Sequence, residues 1–164
     1  MAASQDHSEL SSSAARVQQA LDARGITLRV VELPSSTRTA VEAARAVGCE
    51  VGQIAKSLVF ISTVEARPIL VIACGSNRVD EQKMSRLAGG PLRMATADEV
   101  RELTGFAIGG VPPVGHLTPL ETWIDSDLMK FEVIWAAAGN PRAVFQLAPK
   151  DLLEITQGKV AQTA

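Results

Sequence analysis

The segment Gly109 to His116 concentrates the residue types that could support chemistry without a protein nucleophile. Its sequence, GGVPPVGH, contains three glycines, two prolines and one titratable side chain. Proline fixes φ and lacks an N–H, whereas glycine allows close approaches that a Cβ atom forbids, so this composition predicts a rigid loop. Backbone N–H groups of such a loop can face a ligand and stabilise the oxyanion that forms when an ester carbonyl is attacked.

Lys56 is the second candidate for chemistry. The sequence QIAKSLVFI places this single cation at the start of an apolar, β-branched run, where it borders the core. A compact ammonium group suits a phosphate or a carbonyl oxygen. The alternative is an edge lysine whose stem packs on the strand while its ammonium lies in water. The pattern alone leaves both interpretations open.

Other polar residues near these segments also have two interpretations. His116 is either a hydrogen-bonded structural histidine or a site residue. Asp125 and Asp127 flank a serine in a turn-like segment, where turn capping is the default explanation. The glycine and proline cluster itself is typical of a structural crossover as well as of an oxyanion-binding loop.

Several classes of site lack their required residues. A catalytic serine or cysteine needs a nearby base, and the sequence offers two histidines, His7 and His116, and no G-x-S-x-G motif. With no C-x-x-C or H-E-x-x-H motif we expect no metal site, and without G-x-G-x-x-G or P-loop signatures we expect no cofactor. Cys49 and Cys74 are isolated, and we interpret both as reduced structural thiols.

Length and charge limit the remaining possibilities. A chain of 164 residues fits one domain, which we place at 10–164 after a polar, disordered leader at 1–9 that lacks the apolar core of a signal peptide. We expect a cytoplasmic protein without membrane segments, because the longest apolar run, near Pro68 to Cys74, is too short to span a bilayer. The net charge of −2 argues against a DNA-binding surface, so any nucleic-acid contact must be local.

The hydrophobic pattern predicts a mixed α/β domain with α+β character. Apolar residues at helical spacing predict a first helix through Leu10 and Leu21, and four more short helices follow at 39–47, from 80, at 97–104 and from 149. Strand-like runs lie at 28–33, 56–63, 69–75, 121–125, 131–136 and 143–147, and the second and third of them predict a hairpin. Because hairpins outnumber helical crossovers, we expect a curved, largely antiparallel sheet of six to seven strands surrounded by short helices.

The order of these motifs resembles that of the YbaK/ProX family of aminoacyl-tRNA editing domains. The resemblance rests on AVEAARAVGC, QIAKSLVF, GGVPPVGH, the Ile-Asp-Ser-Asp-Leu turn and AAGNPRAVFQLAPKDLLEIT, and it covers residues 34–157. These domains occur alone or inserted into bacterial-type prolyl-tRNA synthetase. They hydrolyse the ester between a wrong amino acid and tRNA, most often tRNA for proline. The resemblance therefore implies the same fold and a trans-editing deacylase activity.

The resemblance also implies roles for individual residues. It makes Lys56 the functional lysine, which holds the terminal adenosine or its phosphate. The aminoacyl pocket is expected to be lined by the backbone of Gly109, Gly110, Pro113 and Gly115. Gly139 falls at the pocket rim, Asp125 matches a frequent acid, and His116 is interpreted as a specificity element.

The implied partner is the single-stranded acceptor end of an aminoacyl-tRNA, with prolyl-tRNA synthetase as a second candidate partner and neither DNA nor a membrane. A single-stranded end needs only a few cations. We expect the acceptor stem to meet a local basic segment that comprises Arg78, Lys83, Arg86 and Arg93. Water or a group of the substrate would attack the ester, and pocket size would admit alanine, serine or cysteine and reject proline.

Two alternatives to this function remain at the level of sequence. One is a non-catalytic module of the same fold that binds tRNA or a nucleotide without cleaving it. The other is a metal-dependent hydrolase, whose activity a chelator would remove.

Overall fold

The computed structural model describes residues 9–164 and arranges them around one mixed sheet. Within this range the strands are β1 (Val30–Glu32), β2 (Ile54–Ser62), β3 (Pro68–Cys74), β4 (Leu92–Met94), β5 (Glu121–Asp125), β6 (Ile134–Ala137), β7 (Ala143–Leu147) and β8 (Lys159–Ala161). The α-helices are α1 (Ser12–Ala23), α2 (Ala40–Val47), α3 (Glu81–Ala88), α4 (Ala97–Thr104) and α5 (Pro149–Thr156). Short 3₁₀ helices, Val51–Gln53 and Ser126–Lys130, precede β2 and follow β5. The predicted leader lies outside the described residues except for Glu9.

The strand order in the described part of the chain is β1-β7-β6-β2-β3-β5-β8, with β4 paired to β2. The mixed α/β class is confirmed, and so is the β2–β3 hairpin, whose register runs from Ala55 opposite Cys74 to Ile61 opposite Pro68. The sheet has more strands than expected, because the pattern did not reveal β4 and β8, each three residues long and largely exposed. Its pairings are also more evenly mixed than expected, since β2–β6, β3–β5 and β5–β8 are parallel. None of the described helices is long and apolar enough to cross a bilayer.

Strand β3 lies at the centre of the core and is covered on both faces. Successive strand residues point to opposite faces. Leu70 and Ile72 belong to the main apolar cluster together with residues of α1 and α5, whereas Ile69 and Val71 pack in a second cluster with Met84 of α3. The continuous apolar run at β3 is therefore typical of a strand buried between two layers of helices.

Local capping fixes the ends of the short helices. The Thr39 side chain accepts a hydrogen bond from the Glu42 N–H at 3.1 Å, and Gly48 ends α2 in the left-handed conformation at φ +76°. Thr96 and Glu99 form a reciprocal capping box at the start of α4. These caps satisfy backbone groups that have no partner inside the helix. The caps of α2 fix both ends of this helix, which packs beside β2.

Strand β2 is incompletely paired along the edge that faces away from β3. Its first residues, Ile54 and Ala55, pair with β6, and its last residues, from Phe60 to Ser62, pair with β4. Among the described residues no strand pairs with Lys56 to Val59 on this edge, and the gap is crossed by the hydrogen bond from the Ala95 N–H to the Val59 carbonyl at 3.0 Å. An unpaired edge in the middle of a sheet leaves backbone donors and acceptors for another group.

Candidate functional site

A cavity of about 390 Å³ opens at the gap in the β2 edge. The gap residues Lys56 to Val59 form one wall, and Ala40 and Ala43 of α2 line it as well. The loop after α4 contributes Gly109, and β6 contributes Trp135. Four separate parts of the chain therefore meet at this cavity.

The cavity is mainly apolar, and its charged lining residues are both cationic. Among the described residues that line it, Arg38 and Lys56 carry charge and none is an aspartate or glutamate. Two further lining residues, Thr37 and Ser57, have buried hydroxyl groups without a hydrogen-bond partner within residues 9–164. Buried polar groups normally have partners. The cavity thus presents positive charge to a ligand, and the two unpaired hydroxyls are buried behind its lining.

Lys56 lies at the junction of this cavity and a second depression of about 520 Å³, which Arg78 and Met94 also line. Its Nζ donates a hydrogen bond to the carbonyl oxygen of Asn77 at 3.0 Å. The lysine is partly buried, so its ammonium is held beside the cavity by a neutral acceptor. Because this contact neutralises no charge, the ammonium can still attract an anion or a carbonyl oxygen.

A buried carboxylate holds the turn that supplies this acceptor. Asp125 is 1% exposed, and its Oδ2 accepts hydrogen bonds from the Cys74 N–H and from Asn77 Nδ2, both at 3.0 Å. Its Oδ1 accepts from the Asp127 N–H at 3.0 Å. Asp125 therefore does not line the cavity, and it acts on Lys56 through Asn77. The hydrogen bond from the Asp127 N–H agrees with the expectation that Asp125 caps a turn.

The glycines of the loop are divided between the cavity and the packing behind it. Gly109 lines the cavity with φ +94°, and a Cβ there would lie 2.8 Å from Arg38 Cγ. Gly110 is buried against the backbone of Asn140, which a Cβ would approach to 2.6 Å. The Gly110 N–H donates to the Ala107 carbonyl at 3.1 Å, so this amide already has a partner.

The other predicted pocket residues lie away from the cavity lining. Gly139 donates its N–H to the Gly110 carbonyl at 2.8 Å, and a Cβ there would lie 2.7 Å from the Ser13 carbonyl oxygen. Pro113 is buried, and Gly115 packs near Ala20 of α1. Glycine at 110 and 139 therefore permits backbone packing that positions Gly109.

His116 is partly buried at the end of the loop. Its Nε2 lies 2.7 Å from the Pro112 carbonyl oxygen. Burial lowers the pKa of the imidazole below its usual value, and the nearby Arg24 lowers it further, whereas the hydrogen bond to Pro112 raises it. Because His116 contacts the loop and does not line the cavity, its geometry is that of a residue that shapes the loop.

The basic segment is dispersed in the structure. Arg78 lines the second depression beside Lys56, and Arg86 is exposed on α3 at another depression. Lys83 donates a hydrogen bond to the Ala164 carbonyl. Arg93 forms a two-pronged ion pair with Glu99 at 2.7 and 2.8 Å, and this contact lowers the pKa of Glu99 to about 2. Of the four residues, Arg78 is the one that the fold brings to Lys56.

Sequence reasoning missed three polar residues of the cavity and its support, namely Arg38, Ser57 and Asn77. Ser57 was accessible in principle, because a hydroxyl directly follows Lys56 in an apolar strand. Arg38 and Asn77 lie in turns before α2 and after β3, where polar residues are ordinary. Within the described residues no group of three histidine, cysteine, aspartate or glutamate side chains could hold a metal ion.

Comparison with known proteins assigns the chain to a family. Residues 34–155 match the family described as the aminoacyl-tRNA editing domain. The chain belongs to this family. The match includes Lys56, the α2 and β2 walls of the cavity, and the Gly109 loop.

Individual relatives of this editing domain cover most of the chain. The protein YwhH of Bacillus subtilis is 35% identical over 131 residues, which are 80% of this chain and 83% of YwhH. A protein of Enterococcus faecalis named "Putative Cys-tRNA(Pro)/Cys-tRNA(Cys) deacylase EbsC" is 26% identical and spans 76% of each chain. A crystal structure described as "a putative trans-editing enzyme for prolyl tRNA synthetase" is 60% identical with a TM-score of 0.89, covering 93% of this chain and 97% of that one.

The contacts of Asp125 in this editing domain predict a stability loss on substitution. In Asp125→Asn one carboxylate oxygen becomes an NH₂ group, which faces at least one N–H donor that now lacks an acceptor. We expect the free energy of unfolding to fall by about 1–3 kcal/mol, because a buried unsatisfied donor costs about that much. Urea denaturation measures the change. The half-exposed Asp127 is the matched control, and an equal loss in Asp127→Asn would contradict the assignment.

The burial of His116 predicts a pH-dependent stability. Its pKa is lowered in the folded state, so below the ordinary value of about 6.5 the unfolded chain binds the proton more readily. With respect to His116, the free energy of unfolding should therefore be highest above about pH 6.5 and should decrease as the pH falls below that value. We expect His116→Gln to reduce this decrease between pH 7 and pH 5, as measured by urea denaturation. An imidazole pKa at or above 6.5, measured by NMR, would show that burial does not dominate.

Proposed function

We propose that this editing domain hydrolyses the ester bond of mischarged aminoacyl-tRNA in trans. The observation that carries the proposal is that Lys56 and Gly109, which come from distant parts of the sequence, line one cavity at an unpaired strand edge. The family match and the deacylase and trans-editing names of its relatives support the same reaction.

The substrate enters through its single-stranded acceptor end. The mouth of the cavity carries Met94 and Ile108, which are 55% and 48% exposed and offer aliphatic surfaces for the terminal adenine. Aliphatic side chains can take this role in a protein with no tyrosine, four phenylalanines and two tryptophans. The amino acid then occupies the apolar interior between α2 and β2. Prolyl-tRNA synthetase is the candidate partner, since it is named in the description of the 60% identical structure.

The ester is oriented by Lys56 and by backbone amides. Within residues 9–164 the N–H groups of Gly109 and Val111 donate no hydrogen bond, and both residues line the cavity. They are candidates to stabilise the oxyanion, in place of the occupied Gly110 amide, and such a donor contributes about 3 kcal/mol. Water attacks the carbonyl carbon, and the tetrahedral intermediate releases the ribose hydroxyl, which takes up a proton, and the free amino acid.

Selection among amino acids follows from the size of the apolar interior. Binding differences of one methylene group are worth only about 1–3 kcal/mol, so a synthetase cannot reject every small amino acid at its first site. The walls formed by Ala40, Ala43 and Ala136 leave room for a small side chain. We propose alanine, serine or cysteine on tRNA for proline as the substrates, with the proline ring excluded by shape.

Loss of the Lys56 ammonium should abolish turnover. We expect Lys56→Ala to lower kcat/KM by at least 100-fold, roughly the size of one lost transition-state contact. The assay measures release of alanine, serine, threonine and cysteine from tRNA for proline, and correctly charged Pro-tRNA should not be hydrolysed. Lys150→Ala removes an exposed lysine of α5 and serves as the control. A wild-type protein that binds these tRNAs and releases no amino acid would identify the non-catalytic module instead.

Reversal of charge at Arg78 should weaken tRNA binding more than catalysis. Arg78 is exposed beside Lys56, where it can meet the phosphates of the acceptor end. We expect Arg78→Glu to raise KM about tenfold and to change kcat less than threefold. A contact with a tRNA phosphate stabilises the bound substrate and the transition state equally, so its loss weakens binding and leaves the chemical step nearly unchanged. Arg29→Glu, at the far edge of the sheet beside β1, is the matched control. An unchanged KM would reject the role of Arg78.

A further inference from the structure

We propose that Arg38 binds the phosphate on the 5′ side of the terminal nucleotide, as a second cationic contact besides Lys56. This inference rests on the proposed function, because it names the part of the same substrate that Arg38 recognises. The residue lies in the turn before α2, outside every motif on which the family resemblance depends.

The position of Arg38 follows from its contact with Gly109. A Cβ at Gly109 would lie 2.8 Å from Arg38 Cγ and 3.3 Å from Nε, so the arginine side chain runs directly across the loop backbone. Both residues line the cavity. Glycine at 109 therefore has a second consequence besides its positive φ: it lets the arginine stem lie against the loop beside the cavity.

The guanidinium of Arg38 is available for a ligand. The backbone N–H of Arg38 donates a hydrogen bond to the Ser36 hydroxyl. Within the described part of the chain, its guanidinium forms neither an ion pair nor a hydrogen bond. By contrast, Arg67 is paired with Glu65 and Glu121, and Arg93 is paired with Glu99. Guanidinium groups bind phosphate oxygens through paired donors, which makes an unpaired arginine at a cavity suited to an anion.

Neighbouring groups also favour an anion. Thr37 is 6% exposed and lines the cavity, and its hydroxyl lacks a partner within residues 9–164. The first backbone N–H groups of α2 follow directly, and Ala40 lines the same cavity. A helix N-terminus carries partial positive charge. The exposed Arg38 and the start of α2 therefore lie side by side at a cavity that no carboxylate of the described residues lines.

The chemistry of the substrate identifies the anion as a phosphate. An aminoacyl ester carries an α-amino group, which two cations repel, and neither the ester nor the ribose is charged. The nearest negative charge to the ester is the phosphodiester that joins the terminal nucleotide to the preceding one. With the ester near Lys56 and Gly109, Arg38 is the cation of this cavity that remains for that phosphate.

The test compares two small substrates that differ by this phosphodiester. One is the aminoacyl ester of adenosine and the other is the aminoacyl ester of cytidylyl-(3′→5′)-adenosine, each with the amino acid that the wild-type protein releases fastest. We expect Arg38→Ala to lower kcat/KM about tenfold for the dinucleotide ester and less than twofold for the adenosine ester. Arg38→Lys should give an intermediate loss, since lysine keeps the charge and loses the paired geometry. Arg45→Ala, which removes an exposed arginine of the neighbouring helix α2, should leave kcat/KM unchanged for both substrates.

A binding measurement separates this inference from the proposed function. Calorimetry with cytidylyl-(3′→5′)-adenosine that carries no amino acid needs no hydrolysis, and we expect Arg38→Ala to weaken its binding about tenfold while Arg45→Ala does not. Equal binding by wild type and Arg38→Ala, or an equal loss of kcat/KM for both esters, would overturn the phosphate contact. Tight dinucleotide binding by a wild type that cleaves no ester would overturn the proposed function and leave the role of Arg38 supported.

Discussion

The cavity depends on a constraint in strand pairing along β2. One edge of this strand is shared by β6, which runs parallel to it, and by β4, which runs antiparallel. Two neighbours of opposite direction cannot continue into each other, so the ladder is interrupted between them. The interruption exposes Lys56 to Val59 to a space that α2 and the Gly109 loop enclose. A candidate binding site is thus produced by topology, in the middle of a sheet whose adjacent strand β3 is buried from Ile69 to Cys74.

The electrostatics of the site separate its positive charges from the negative charges that support them. Lys56 contacts a carbonyl oxygen, and the carboxylate of Asp125 lies one residue farther back, saturated by N–H donors. Asp127 is paired with Lys130 at 2.7 Å. A direct ion pair would consume the lysine charge in the free protein. The intervening Asn77 keeps it available, so a protein of net charge −2 can still present a positive cavity.

The glycine loop combines two physical roles that its sequence does not distinguish. Gly110 and Gly139 allow backbone segments to approach more closely than any Cβ would permit, and their hydrogen bond ties the loop to the β6–β7 turn. Gly109 instead meets the cavity, and its missing side chain leaves room for Arg38. The packing of Gly110 against the β6–β7 turn therefore holds the neighbouring Gly109 at the cavity. One short segment thus needs glycine for two different reasons.

The sequence by itself determined the mixed α/β class, the hairpin of β2 and β3 and the five α-helices. It also singled out Lys56 and the glycine loop as candidate site residues, and the structure brings Lys56 and Gly109 to one cavity. These follow from local information: apolar periodicity, capping residues and turn composition act over a few neighbours. Strands β4 and β8 were missed because each is a three-residue, largely exposed segment, whereas the equally short β1 lies within a longer strand-like run at 28–33. Only the tertiary structure decided which glycine lines the cavity, that Asp125 acts behind Asn77, and that Arg38 lies across Gly109. Those facts depend on contacts between residues far apart in the chain, which local patterns do not encode.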